Sequence, residues 1–302
     1  MRVADSTLKH NVLRNLRTSM REMSKLQLQL ASGKAINKPS DNPVMATKIL
    51  NINAALSESQ QFLRNVQDGE AWLNMTDSTL DKMGEALHRA RELSLGGLTG
   101  TAPEDARRYT AMEIDQVIRH MVSLANSSFD GDRFIFGGSY FRENPYVITE
   151  TDGMVSAVTP NPNGAGAGQG KISYEIIRGI SMDVNTPGQE LLMDGDIFTS
   201  LIALRDALLG TGDGDEAIRG VDKALDHVLY HRAVVGAKTN RLDMTAARYG
   251  EEQMTLRELK SRIEDVDIAE AIMNFNVKEK VYHASLAMGA RVMQPTLLDY
   301  IR

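Results

Sequence analysis

Apolar residues recur three and four positions apart at both ends of this chain, and that spacing constrains the fold more than any other feature. From Leu13 they fall at Leu16, Met20, Met23 and Leu30, with Gln27 in the same series. Alternating three–four spacing is the seam of a helix in a bundle or coiled coil. Val12 and Leu26 widen the stripe, while Arg14, Arg17, Arg21, Glu22 and Lys25 take the wetter positions. Toward the other end, Leu256, Leu259, Ile263 and Val266 form a second seam, and Ile268, Ile272, Phe275 and Val277 continue an apolar stripe. Such helices need partners to cover their apolar faces. The simplest fold brings the two ends together as a helical bundle.

Punctuation divides the helices. Gly33 is placed to end the first in a left-handed conformation. The segment Asn37-Lys38-Pro39-Ser40-Asp41-Asn42-Pro43 cannot continue a helix and reads as an ordered turn, with Asp41 or Asn42 capping a second helix whose first turn holds Pro43. That helix runs from near Val44 through Trp72 and Leu93 to Gly96-Gly97, with Gly69 a tolerated weak point. Pro103-Glu104-Asp105 starts a third. At Asn126 the pattern changes. Phe129 to Gly138 reads as a turn and a short strand; 146–149, 171–177 and 181–185 read as strands; Pro160 to Gly170 reads as a loop. Helix returns at Ile197, pauses at Gly210–Asp215 and resumes to the C-terminal seam.

The chain has 302 residues, a net charge of -6 and no cysteine. Mild acidity gives no general attraction to nucleic acid or anionic lipid. Without cysteine there is neither a disulfide framework nor thiolate chemistry. Aromatic residues make up only 5%, which suits helices sealed by Leu, Met, Ile and Ala. The N-terminal residues lack a signal-peptide pattern and no run approaches a membrane span, so simple rules place the chain in the cytoplasm unless it is exported uncleaved.

No catalytic, cofactor or metal site is expected. His227 and His231 stand four apart on a helix, but nothing adds the glutamate of a zinc protease, and an ordinary helix surface is the preferred reading. Glu264, Asp265 and Asp267 read as an acidic cluster on a helix, with 264 and 267 sharing a face; salt bridging to residues such as Lys260 or Arg262 is favoured over catalysis. The 210–215 loop lacks the Lys-Ser/Thr of a phosphate loop and the spacing of a calcium loop.

Two segments carry a family resemblance. Gln29-Leu30-Ala31-Ser32-Gly33-Lys34-Ala35-Ile36-Asn37 with Pro39-Ser40-Asp41-Asn42-Pro43 resembles the N-terminal signature of the flagellin superfamily, and Ser261 to Glu270 resembles its C-terminal helix signature. Within the superfamily, Trp72 to Leu80, Phe134 to Gly138 and the proline-containing Val292–Ile301 segment are more similar to the hook-associated protein 3 family of hook–filament junction proteins than to filament flagellin.

The resemblance implies a mainly α fold with nested domains: a terminal helical assembly domain (1–44 with 280–302), a helical rod (45–136 with 198–279) and a β-rich outer insertion (137–197). It implies a structural subunit exported uncleaved through the flagellar apparatus into the extracellular flagellum. Its partners would be other copies of itself in a ring, hook-associated protein 1, flagellin, an export chaperone and the filament cap protein. The assembly interface would comprise Leu13, Leu16, Met20, Met23, Leu30, Met293, Leu297 and Leu298. Turn and helix contacts would involve Asn37, Pro39, Ser40, Asp41, Pro43, Arg262, Ile263, Asp265 and Asp267. Filament flagellin and, more distantly, a soluble coiled-coil adaptor are the alternatives.

Overall fold

A computed structural model describes residues 2–98, 103–131, 133–139, 143–162 and 167–293. Six α-helices are described: α1 (Arg2–Ser32), α2 (Pro43–Gly97), α3 (Glu104–Ala125), α4 (Ile197–Leu208), α5 (Gly214–Glu264) and α6 (Ile268–Met293). Two antiparallel hairpins, β1 (Tyr146–Thr151) with β2 (Met154–Pro160) and β3 (Ser173–Ile177) with β4 (Ile180–Asp183), lie between α3 and α4, followed by a short π-helical turn at Gln189–Met193. The fold is mainly helical with a β-rich insertion. The chain divides into two compact units: Met1–Ser59 with Glu251–Arg302, and Gln60–Gly250.

In the first unit α1 packs along α6. Along α1, Val12, Leu16, Ser19, Met23, Leu26 and Leu30 are half-buried, spaced four, three, four, three and four. On α6 the covered positions Ala271, Phe275, Lys278, Tyr282, Ser285 and Gly289 repeat that spacing. Gly289 lies against Val12 and Leu16, and the Lys278 ammonium lies 2.6 Å from the Glu22 carboxylate, so the helices run antiparallel. Gly289 permits the close approach: a Cβ there would meet Val12 Cγ1 at 3.0 Å.

In the second unit, residues 60–97 of α2, α3, α4 and residues 214–250 of α5 supply one apolar core, including Leu73, Leu80, Leu87, Ile114, Ile118, Leu201, Val221 and Val228. The β1–β2 hairpin is tied to it by an ion-pair network centred on the buried Asp115 and Arg205. Arg205 on α4 sits 3.1 Å from Asp115 on α3 and also donates to the Val155 carbonyl of β2. Asp115 accepts the Val155 backbone N–H at 2.9 Å and the Arg119 guanidinium at 3.0 Å, and Arg119 reaches Glu150 on β1. A buried carboxylate needs this many donors to offset its desolvation.

Several local expectations change. Residues 134–136 form no strand: Phe134 makes one isolated bridge to Ser128, and Ile135 and Phe136 are core residues of an irregular loop. Strand β2 is additional. Its hairpin turn is Asp152-Gly153, both at positive φ, the two-residue Asp-Gly turn that matches the twist of paired strands. Within the 171–177 strand, pairing starts at Ser173.

Candidate assembly site

The expected site residues fall into two groups, one along α1 and α6 and one at the turns beside them. Along α1, Leu16, Met23 and Leu30 are half-buried positions of the pair, whereas Leu13 and Met20 are exposed, Met20 at 58%. The periodicity places all five on one seam. The covered register lies one position over: Val12, Ser19 and Leu26 are half-buried, whereas Leu13, Met20 and Gln27 are exposed. The α6 helix likewise leaves Ile268, Ile272, Met273, Val277, Val281 and Met288 exposed. A two-helix pair covers one stripe on each partner; these side chains lie outside it, on faces with further apolar area to bury. Met293 ends α6, and its side chain lies outside the described residues, as do Leu297 and Leu298.

The two signature segments, far apart in sequence, are joined. Gly33 adopts φ +71° and ends α1. The chain that follows bridges the α5–α6 junction: Ala35 N–H donates to the Glu264 carbonyl at 2.7 Å, Val266 N–H donates to the Gly33 carbonyl at 3.0 Å, and Lys34 pairs with Asp265 as an antiparallel bridge. The Lys34 ammonium lies 2.5 Å from Glu264, whose carboxylate is buried and also faces Lys260 at 3.5 Å. This pairing holds the Lys34 pKa above its usual value.

Within the turn, Asp41 accepts the Lys38 and Asn37 backbone N–H groups at 3.0 and 3.3 Å and pairs with Lys25 at 3.2 Å. The Lys38 backbone bond and then the Lys25 side chain hold its carboxyl below the usual carboxylate range. Asn42, with Pro43 at the first position, caps α2 through Met45 N–H at 3.2 Å. Pro39 and Ser40 are exposed at the turn's outer edge.

Asp265 and Asp267 do not share a helix with Glu264, which corrects the reading of one acidic helical face. The α5 helix ends at Glu264, and each acid then serves the break. Asp265 accepts the Ser261 hydroxyl, while Asp267 caps α6 by accepting Ala269 and Glu270 N–H groups at 2.9 and 3.1 Å. Arg262 is exposed and pairs with Glu258 on its own helix at 2.6 Å, and Ile263 is half-buried. The Lys34–Glu264 bond was not legible in the sequence because it closes a loop of more than two hundred residues.

The histidine pair differs from a plain helix surface. His231 is 5% exposed, and burial lowers its pKa. Among the described residues no group of three or more His, Asp or Glu side chains is placed to hold a metal ion, and no helix is long and apolar enough to cross a membrane.

Paired terminal helices joined by a turn clasp define a class of protein that presents apolar helix faces for association. The bacterial flagellin N-terminal helical region matches residues 3–140, and the bacterial flagellin C-terminal helical region matches residues 218–301. The chain belongs to the flagellin superfamily and is a structural flagellar protein. Flagellin FlaB2 of Treponema pallidum is 24% identical, covering 89% of this chain and 87% of its own. Flagellar hook-associated protein 3 of Salmonella typhimurium is 21% identical, covering 94% of this chain and 95% of its own. The structure described as a flagellar hook-associated protein from Vibrio parahaemolyticus superposes with a TM-score of 0.65 at 20% identity, covering 74% of this chain and 100% of that one, and shares the fold.

Proposed function

We propose that this chain is a subunit of the junction between flagellar hook and filament. The observation that carries the reading is the α1–α6 pair, which buries one heptad seam and leaves Leu13, Met20, Ile272, Val277 and Val281 exposed. Burying a Leu or Met side chain contributes roughly 1.5–3 kcal/mol, so a neighbouring subunit laid on these faces gains stability that the isolated chain lacks. Ordering a residue costs about 1–2 kcal/mol; the terminal helices are therefore completed by assembly. In this reading residues 1–44 with 280–302 form the assembly domain, 45–136 with 198–279 the rod, and 137–197 the outward insertion.

The junction assignment, as opposed to the filament, draws on the likeness of Trp72–Leu80 and Val292–Ile301 to junction proteins. The near-complete span shared with Salmonella hook-associated protein 3 supports it. A comparable match to Flagellin FlaB2 favours filament flagellin as the second reading. The partners are further copies of this chain, hook-associated protein 1 on one side and flagellin on the other. An export chaperone holds the chain before secretion, and the filament cap protein acts during assembly.

Immunogold microscopy of an epitope-tagged functional copy on intact flagella tests this. A narrow band of label where hook meets filament is the expected result. Label along the whole filament makes the chain a flagellin, and absence of label from flagella leaves a coiled-coil adaptor.

A further inference from the structure

The root of the β-rich insertion meets α5 at His227, and His231 stands against His227 one turn along the helix. The π-helical turn Gln189–Met193 and the turn that follows it lie against the His227 end of this contact. His227 Nε2 is 3.1 Å from the Glu190 carbonyl. A carbonyl oxygen only accepts, so Nε2 carries the proton and, in the neutral ring, Nδ1 is left as an acceptor. Gly195 is packed so closely on the same ring that a Cβ there would meet His227 Cδ2 at 2.4 Å. One turn along α5, the His231 ring stands edge-on to His227 with 4.6 Å between centroids.

The surroundings of His231 oppose a positive charge. The residue is buried; His227 and the half-buried Lys238 face it from its own helix, and Glu190 is the acid facing it from the π-helical turn. Tyr230 covers another edge at 5.5 Å between centroids. Lys238 in turn faces Asp183 on β4 and Lys171. The neighbouring Arg232 is engaged by Asp77 and Asp81 of α2. Burial is the largest influence lowering the His231 pKa, followed by His227.

We propose that His227 and His231 form an acid-sensitive latch between α5 and the π-helical turn: a proton on His231 is accommodated only when its ring leaves the contact with His227, and that movement frees residues 189–196. The sign follows from linkage. A histidine whose folded pKa lies below its unfolded value binds the proton more readily once released, so the closed state keeps its full stability above the ordinary histidine value of 6.5 and loses it as pH falls toward the lowered folded value. The device loosens the base of the insertion in mild acid while leaving the α1–α6 pair, which has no part in the contact, unchanged.

Backbone hydrogen bonds in the segment report on opening. Leu191 N–H donates to Pro187 O at 3.2 Å, Asp194 N–H to Gln189 O at 3.0 Å and Asp196 N–H to Met193 O at 3.0 Å. Hydrogen–deuterium exchange of the full-length chain from about pH 7.5 down to about pH 5 spans the histidine range and stays above the ordinary carboxylate range. After correction for intrinsic exchange, these amides are expected to lose protection as pH falls, by up to about tenfold per pH unit, the limit for one linked proton. His231→Gln flattens that dependence, and His231→Phe, which keeps an aromatic ring without a titrating nitrogen, does the same if the glutamine disturbs packing. A flat response in the unaltered protein overturns the proposal. So does a pH dependence that remains equally steep in both variants.

Discussion

Lys34 and Glu264 meet as an ion pair 2.5 Å apart at the place where the end of α1 is bonded to the end of α5. The carboxylate is buried and receives Lys260 as well, whereas nearly half of the Lys34 side chain is in water. The two partners therefore differ in consequence. Removing the buried acid leaves a half-solvated cation and an empty site beneath a backbone bridge, while removing the lysine leaves an acid that keeps its second partner.

Glu264→Ala is expected to lower chain stability by about 1.5–3 kcal/mol, the scale of a lost hydrogen bond to a charged group, and Lys34→Ala by less than about 1 kcal/mol, the scale of a solvent-screened pair. Urea unfolding of both variants checks the order. The Lys34 contribution has a pH signature. Its folded pKa is raised above the ordinary 10.5, so the contribution is complete below that value and disappears as pH rises through the folded pKa.

Met20 and Met23 separate assembly from folding. Met20→Asp lies on the exposed face and should change monomer stability by no more than about 0.5 kcal/mol while blocking incorporation into flagella. Met23→Asp lies in the α1–α6 seam and should lower monomer stability by about 1–3 kcal/mol. Thermal unfolding of the monomer, set beside the amount of each variant in isolated flagella, reads both effects. Equal destabilisation by the two substitutions would place Met20 in a closed seam and remove the assembly face.

Asp115→Ala takes the buried carboxylate from Arg205, whose guanidinium is 7% exposed and keeps Asp206 at 2.7 Å. Breaking one side of a buried pair costs about 3–5 kcal/mol, so urea denaturation should show a large loss. The β1–β2 hairpin should exchange faster than α3, because the Val155 N–H loses its acceptor. A loss confined to below about 1 kcal/mol would mean the network behaves as a surface pair.

The 37–43 turn has an acid limit. Asp41 is held below its ordinary 3.8, so its contribution is present above that value and is lost as pH falls through the lower folded pKa. Exchange at the Lys38 amide should rise in that window. In Asp41→Asn the rise should vanish and the amide should exchange faster at every pH.

The helices were largely legible because their signals are local. Gly33, Asn42-Pro43, Gly97 and Pro103 act on neighbouring backbone, and each lies at or beside a helix end in the structure. Strand β2 is hard to read from the sequence although Asp152-Gly153 marks its turn, since the residues that follow carry only a weak alternation. The 134–136 strand failed for the opposite reason: three apolar residues between glycines satisfy a strand pattern, but no strand pairs beside them beyond one bridge.

By itself the sequence determined helix and turn positions, the superfamily, and the presence of apolar stripes at both ends, because each rests on residues within a few positions of one another. The tertiary structure decided which stripe is covered. Gly289 lets Val12 approach, which turns Leu13 and Met20 outward by a one-position change of register. It also decided that Glu264 would be buried against Lys34, and that Asp115 and Arg205 would meet in the core. Those outcomes depend on which surfaces meet when distant segments pack, and no local periodicity specifies that.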